Sequence, residues 1–168
     1  MAKVERKAKG TKNVIKSSEL DSKFKYEVAS QPGGEKLKVC YACGVCTAGC
    51  PVSDVSADFD PRKIIRMVLM GMKERVLSSD FIWYCTQCFT CSGHCPQNVK
   101  FTDIMRVLRD MAVREGFVDS SFLQKAKELD RFSQKVRYRL MKSIVAKKGK
   151  SFTLNPGELL TKVAKELS

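Results

Sequence analysis

Apolar residues along this chain recur at intervals of three and four, and no stretch alternates between polar and apolar positions for long. Ile64, Met67/Val68 and Gly71 follow the helical period behind Phe59-Asp60-Pro61, and Ile104, Val107/Leu108 and Met111 follow it behind Phe101-Thr102-Asp103. Both stretches are predicted to be helices that bury one stripe. Asp60 is expected to cap the first, with Pro61 in its first turn, and Thr102 to cap the second, with Asp103 in its first turn. Residues 18–29 fit one amphipathic helix through Leu20, Phe24 and Val28, and Gln31-Pro-Gly-Gly34 breaks the chain after it. Ser79-Asp80 opens a predicted helix to Cys88 that carries Trp83. Asp119-Ser-Ser121 starts a long one through Phe122, Leu123, Ala126, Leu129, Phe132, Val136 and Leu140 to about Ala146, ended by Lys147-Lys-Gly-Lys150. Asn155-Pro156 followed by Leu159, Leu160 and Val163 predicts a short terminal helix. The fold class is therefore all-α.

Eight cysteines interrupt this pattern in two sets, Cys40, Cys43, Cys46, Cys50-Pro51 and Cys85, Cys88, Cys91, Cys95-Pro96. Each set reads C-x-x-C-x-x-C-x-x-x-C-P, and the second repeats the first at an offset of 45 residues. Every cysteine of the chain is used. Structural zinc sites build a tetrahedron from two two-ligand knuckles well apart in sequence, whereas here three thiols fall within seven residues. Three thiolates from one tight loop and a fourth from afar suit an iron–sulfide cube better than a single ion. The spacing thus favours [4Fe–4S] over zinc and over a disulfide framework. The same run in bacterial ferredoxins sends its fourth cysteine to the other cluster. On that pattern Cys40, Cys43, Cys46 and Cys95 hold one [4Fe–4S] cluster, and Cys85, Cys88, Cys91 and Cys50 hold the second.

Gly44, Gly49 and Gly93, with small residues such as Thr47, Thr90 and Ser92, are expected to let the backbone approach the clusters and donate N–H to sulfur. Pro51 and Pro96 are expected to end each loop. His94 is the sole histidine, and with four thiolates already present at each site it is expected to be a packed neighbour, not a ligand. Tyr41, Trp83, Tyr84 and Phe89 are expected to shield the clusters from water. A cluster held by four thiolates leaves no corner open to a substrate, and it passes single electrons. The sequence offers no glycine-rich dinucleotide loop, no spare cysteine and no second histidine, so no catalytic residue is assigned.

Two woven clusters with a helix in the 34 residues between Cys50 and Cys85 resemble the helical ferredoxin domain of succinate dehydrogenase, glycolate oxidase and anaerobic glycerol-3-phosphate dehydrogenase. Cys40-Tyr-Ala-Cys-Gly-Val-Cys-Thr-Ala-Gly-Cys-Pro51, Pro61-Arg-Lys-Ile-Ile-Arg66, Ile82-Trp-Tyr-Cys-Thr-Gln-Cys-Phe-Thr-Cys91 and Cys95-Pro96 are most similar to the iron–sulfur C-subunit of heterodisulfide reductase. That resemblance spans roughly residues 17–118. It implies an electron-transfer subunit of an oxidoreductase, wired between a flavin-containing A-type subunit of the complex and a catalytic B-type subunit that converts disulfides and thiols. The Cys-Cys-Gly repeats of the B-type protein are not in this chain, so disulfide cleavage is not assigned to it. The alternatives are the iron–sulfur subunit of a membrane-associated dehydrogenase, or a nucleic-acid-binding protein with structural clusters. The tail offers only Phe132 and Tyr138 among its arginines for stacking on bases, and no nucleic-acid partner is expected.

Composition sharpens this outline. The 168 residues carry 31 Lys+Arg against 18 Asp+Glu, a formal net charge of +13, with 43% hydrophobic residues. A chain of this size buries only about 70% of its unfolded surface, and two small halves need cross-links or a partner. Residues 1–30 hold 8 basic and 4 acidic residues, 31–116 hold 11 and 9, and 117–168 hold 12 and 5, so the cysteine-bearing middle is nearly neutral. The expected organisation is a basic arm at 1–16, a ferredoxin domain at 17–116 and a basic helical extension at 117–168. No stretch reaches the roughly 18 apolar residues of a membrane span, and basic ends remain compatible with a peripheral membrane contact. The basic N-terminal residues lack the apolar run of a signal peptide, and reduced thiols fit the expected cytoplasmic location.

Overall fold

The computed structural model describes residues 15–146 and Thr161. The basic arm therefore lies outside the described residues except for Ile15 and Lys16, as does the terminal helix predicted after Asn155-Pro156 apart from Thr161. The chain falls into two compact units, one up to Leu108 and one from Arg109. Among the described residues every regular element is helical.

The first unit is built from short helices: α1 (Phe24–Ala29), α2 (Val45–Ala48), α3 (Pro51–Val55), α4 (Pro61–Leu69), α5 (Lys73–Leu77), α6 (Thr90–His94) and the start of α7 (Phe101–Arg114). Single 3-10 turns at Ser17–Glu19, Leu37–Val39 and Asp80–Trp83 connect them. Helices of four to six residues are not stable on their own and are held by packing. The core that holds them is aliphatic and aromatic: Phe24, Val28, Leu37, Val68, Val76, Leu77, Ile82, Ile104 and Leu108 are completely buried. Each such side chain contributes about 1.5–3 kcal/mol by leaving water.

α4 forms as its sequence predicts. Asp60 caps it by accepting from the Lys63 amide at 3.1 Å, Pro61 fills the first turn, and Ile64, Ile65, Met67 and Val68 make the buried face. Gly71 ends it instead of extending the stripe. Its φ is +80°, and an added Cβ would collide with the Asp21 carbonyl, while the Asp21 amide donates to the Gly71 carbonyl at 2.8 Å. Only glycine combines that left-handed turn with so close an approach.

Three predicted elements differ. Residues 18–29 are a 3-10 turn and α1 with an extended link at Leu20, because Asp21 is drawn to Gly71 and its carboxylate accepts from the Lys23 amide at 2.9 Å. The helix expected from Ser79 to Cys88 is one 3-10 turn, since the cysteine loop starts at once behind Trp83. Thr102 is not a cap: α7 starts one residue earlier, and the buried Thr102 hydroxyl is spent on the cysteine loop.

The second unit holds the end of α7 and α8 (Ser120–Ala146), which starts where predicted, with Asp119 accepting from the Ser121 amide at 2.8 Å. Arg109 is 4% exposed and pairs with Asp130 at 3.9 Å, which gives a buried cation its counter-charge.

Candidate metal centre

The two cysteine motifs repeat in three dimensions as they do in sequence. In each, the residue before the second cysteine has positive φ, Ala42 at 54° and Gln87 at 51°. The residue after it does too, Gly44 at 87° and Phe89 at 62°. The two loops thus carry the same double left-handed turn at matching positions. The helix that follows is α2 in the first motif and α6 in the second, and these two equivalent helices pack against each other. Ala42, Gln87 and Phe89 are the costly members, since a non-glycine residue in this region carries about 1–2 kcal/mol of strain, and the second motif holds two of them. Arg106 from α7 offsets that cost. Its guanidinium lies 5.0 Å from the centre of the Phe89 ring, its Nε donates to Gln87 Oε1 at 2.8 Å, and Asp103 steadies it at 3.3 Å.

Each loop is also pinned to the helix behind it by the residue after its third cysteine. Thr47 donates to Asp60 Oδ1 at 2.7 Å and accepts from the Arg62 amide at 3.0 Å, so α4 starts on the first loop. Its counterpart Ser92 donates to Thr102 at 3.4 Å, and Thr102 meets Cys91 Sγ at 3.3 Å. The sequence marks Thr47 and Ser92 only as small residues, while their role as pins depends on where the helices return.

All eight cysteines are free of disulfide bonds. Cys50, Cys85, Cys88 and Cys91 line one cavity with Val52, Phe59, Thr86, Phe101 and Thr102. That brings the fourth cysteine of the first motif to the three leading cysteines of the second. Phe59 and Phe101, which hold equivalent places behind the two motifs, meet edge to face with ring centres 6.4 Å apart and wall this cavity. Their signal in the sequence is their shared place before each helix. Three of the expected shields behave differently, since Tyr41 is 72% exposed and Tyr84 and Phe89 are about half exposed, while Trp83 is half-buried. The water-excluding wall is made by the phenylalanines. In the first motif Cys46 lies near Cys40 and near Cys91 of the second motif. His94 is exposed, with Nδ1 3.5 Å from where a Cβ on Gly49 would stand.

Electrostatics differ along the loops. Burial pushes the Cys46 thiol up to about 11; the Thr47 hydroxyl pulls it down, and the nearby Cys40 and Cys91 push it up further. Such a thiol ionises at neutral pH only against a bound cation. Cys88 lies lower than usual: burial raises it, but bonds from Thr90 and Thr86 outweigh that. Amides of Ala42 and Val99 donate to Cys40 Sγ and Cys95 Sγ, both at 3.4 Å, the N–H to sulfur bonds that tune a cluster's potential. Cys43 and Cys88, the second cysteine of each motif, are exposed, whereas Cys85 and Cys91 are buried.

A zinc ion would require thiolates about 2.3 Å from one point. Among the described residues no three His, Cys, Asp or Glu side chains converge that way. Four thiols, Cys50, Cys85, Cys88 and Cys91, lining one aromatic-walled cavity without closing on a single point suit a group made of several metal atoms better than one ion.

Comparison with known proteins agrees with that chemistry. Residues 36–99 match the 4Fe-4S dicluster domain family. The chain is 39% identical over 130 residues to the C 2 iron–sulfur subunit of the CoB–CoM heterodisulfide reductase of Methanocaldococcus jannaschii, covering 73% of this chain and 69% of that protein. It is 43% identical over 110 residues to the C2 subunit of the H2/formate:CoB-CoM heterodisulfide,ferredoxin reductase of Methanococcus maripaludis, covering 61% and 59%. With the C-subunit of the H2:CoB-CoM heterodisulfide,ferredoxin reductase of Methanothermobacter thermautotrophicus it shares 34% over 106 residues, covering 63% and 56%. Against the last two the chain thus spans somewhat more than half of the relative's length.

Proposed function

Because the chain belongs to the iron–sulfur C-subunit family of heterodisulfide reductases, an electron-transfer component with two [4Fe–4S] clusters, we propose that it relays single electrons between a flavin-containing partner and a catalytic disulfide/thiol-converting partner. In this reading Cys40, Cys43, Cys46 and Cys95 hold one cluster, and Cys85, Cys88, Cys91 and Cys50 hold the other. Each cluster supplies one-electron reduction and oxidation. The observation that carries the crossed assignment is the cavity shared by Cys50 with Cys85, Cys88 and Cys91.

The chain's own residues do the rest. Phe59 and Phe101 keep water from the second site, which strengthens the Thr102 and Cys91 contact. Ala42 and Val99 amides stabilise charge on Cys40 and Cys95. Cys43 and Cys88 stand at the surface, so each motif offers an edge by which a partner's redox centre comes close. No helix among the described residues is long and apolar enough to cross a membrane. In this reading the relay works in the reducing cytoplasm, where its thiols stay free for metal, and has no substrate-converting site of its own.

The test is electron transfer in the purified parts. The reduced flavoprotein should be reoxidised by disulfide through the catalytic partner only when this chain is present, and Cys43→Ser or Cys88→Ser should each abolish that coupling. Reoxidation at an equal rate without the chain refutes the relay.

A further inference from the structure

Beside the first cysteine motif runs an open groove of about 330 Å³ between α4 and α5, lined by Ile15, Met67, Met70 and Met72 and by Arg62, Lys63, Arg66 and Arg75. Its floor is soft: Met70 is half exposed, and methionine adapts to the shape of what it meets. Its rim is cationic: none of the four cations makes an ion pair within 4 Å among the described residues, although Asp60 lies near enough to Arg62 to feel its charge. Asp60 is the one carboxylate in the groove, so the four cations leave a surplus of positive charge over its lining. An adjoining cavity that shares Ile15, Met72 and Arg75 is also lined by Glu19 and Glu74, so the positive charge is densest at Arg62, Lys63 and Arg66 on α4, with Arg75 at its margin. The chain's own arm does not complement it, because residues 1–14 carry Lys3, Arg6, Lys7, Lys9 and Lys12 against Glu5 alone.

We propose that this groove seats an acidic segment of one partner protein, anchored by apolar side chains on the methionines. This deepens the relay reading and rests on it. The place matters for electron transfer. α4 is pinned to the first loop by Thr47 and Asp60, and the Arg62 side chain lies 3.6 Å from where a Cβ on Gly44 would stand, between Cys43 and Cys46. A partner held by α4 therefore lies against the exposed Cys43 edge, and the second motif is left for the other partner.

The test uses the reconstituted full chain with the purified flavoprotein and the purified catalytic partner, each measured separately for binding at several salt concentrations. In Arg66→Glu/Arg75→Glu, iron content should be unchanged. Affinity for one partner should fall at least about tenfold, mainly in the association rate and most steeply at low salt, while the other partner and the Lys36→Glu control bind as wild type does. Reversing acidic residues of the affected partner to lysine should restore binding to the variant. Loss of both partners or of neither overturns the docking site, while binding of neither by the wild type overturns the complex itself and the site with it.

Discussion

Asp60 joins the first cysteine loop to α4, and its removal separates two contributions that share one carboxylate. In Asp60→Ala the helix loses its cap, worth about 1 kcal/mol. It also loses the 2.7 Å bond from Thr47, a hydroxyl donating to a charged group, which partial exposure reduces to about 1 kcal/mol. The expected loss is about 2 kcal/mol in the holoprotein, read by anaerobic urea unfolding with circular dichroism and cluster absorbance followed together. Thr47→Val keeps the cap but removes both the bond to Asp60 and the acceptor of the Arg62 amide, so a similar loss is expected. The double variant should fall short of the sum by about 1 kcal/mol, because the pair shares one bond. Burial raises the Asp60 pKa, but the Thr47 hydroxyl and Lys63 amide outweigh it and hold the carboxyl below its ordinary 3.8. A lowered folded pKa means this stabilisation is complete above the unfolded value and fades as pH falls through the folded one. Asp60→Ala should therefore cost the same at pH 6 and pH 8. An unfolding midpoint equal to wild type, or additive single and double variants, refutes the pin.

Other parts of the structure predict distinct outcomes. Gly71→Ala places a Cβ in a left-handed turn and against the Asp21 carbonyl, so it should cost at least about 1–2 kcal/mol in the same assay; a neutral change contradicts the close approach. Leu108→Ala empties a completely buried position and should cost about 2–5 kcal/mol, and a loss under about 1 kcal/mol would show that the site is not packed. Arg106→Met removes the clamp on Gln87 and Phe89, so a chelator should strip iron faster from the second motif alone; equal stripping of both motifs removes Arg106 from that role.

Much of the helical part was legible because its signals are local. Asp60 and Pro61 mark a start, Asp119 marks another, and the apolar period behind each predicts the buried face. What failed depended on distant partners. Leu20 lies in a helical pattern, yet the chain bends there because Asp21 meets Gly71, 50 residues away. Thr102 looks like a cap, but its hydroxyl has a better use beside Cys91 once the loop folds back. The cysteine spacing pointed to two clusters, and the repeat at 45 residues extends to positive φ at matching positions. Phe59 and Phe101 were legible only as leaders of helices, since burial against a cavity follows from the return of the chain.

The central claim is that the fourth cysteine of each motif belongs to the other motif's cluster. It is tested most directly by Mössbauer and electron paramagnetic resonance spectra of anaerobically reconstituted wild type and of Cys43→Ser, Cys88→Ser, Cys50→Ser and Cys95→Ser. Wild type should hold eight irons and eight sulfides as two magnetically coupled clusters. Cys50→Ser should alter the same cluster as Cys88→Ser, and Cys95→Ser the same cluster as Cys43→Ser. The opposite pairing, with Cys50→Ser altering the Cys43 cluster, contradicts the account.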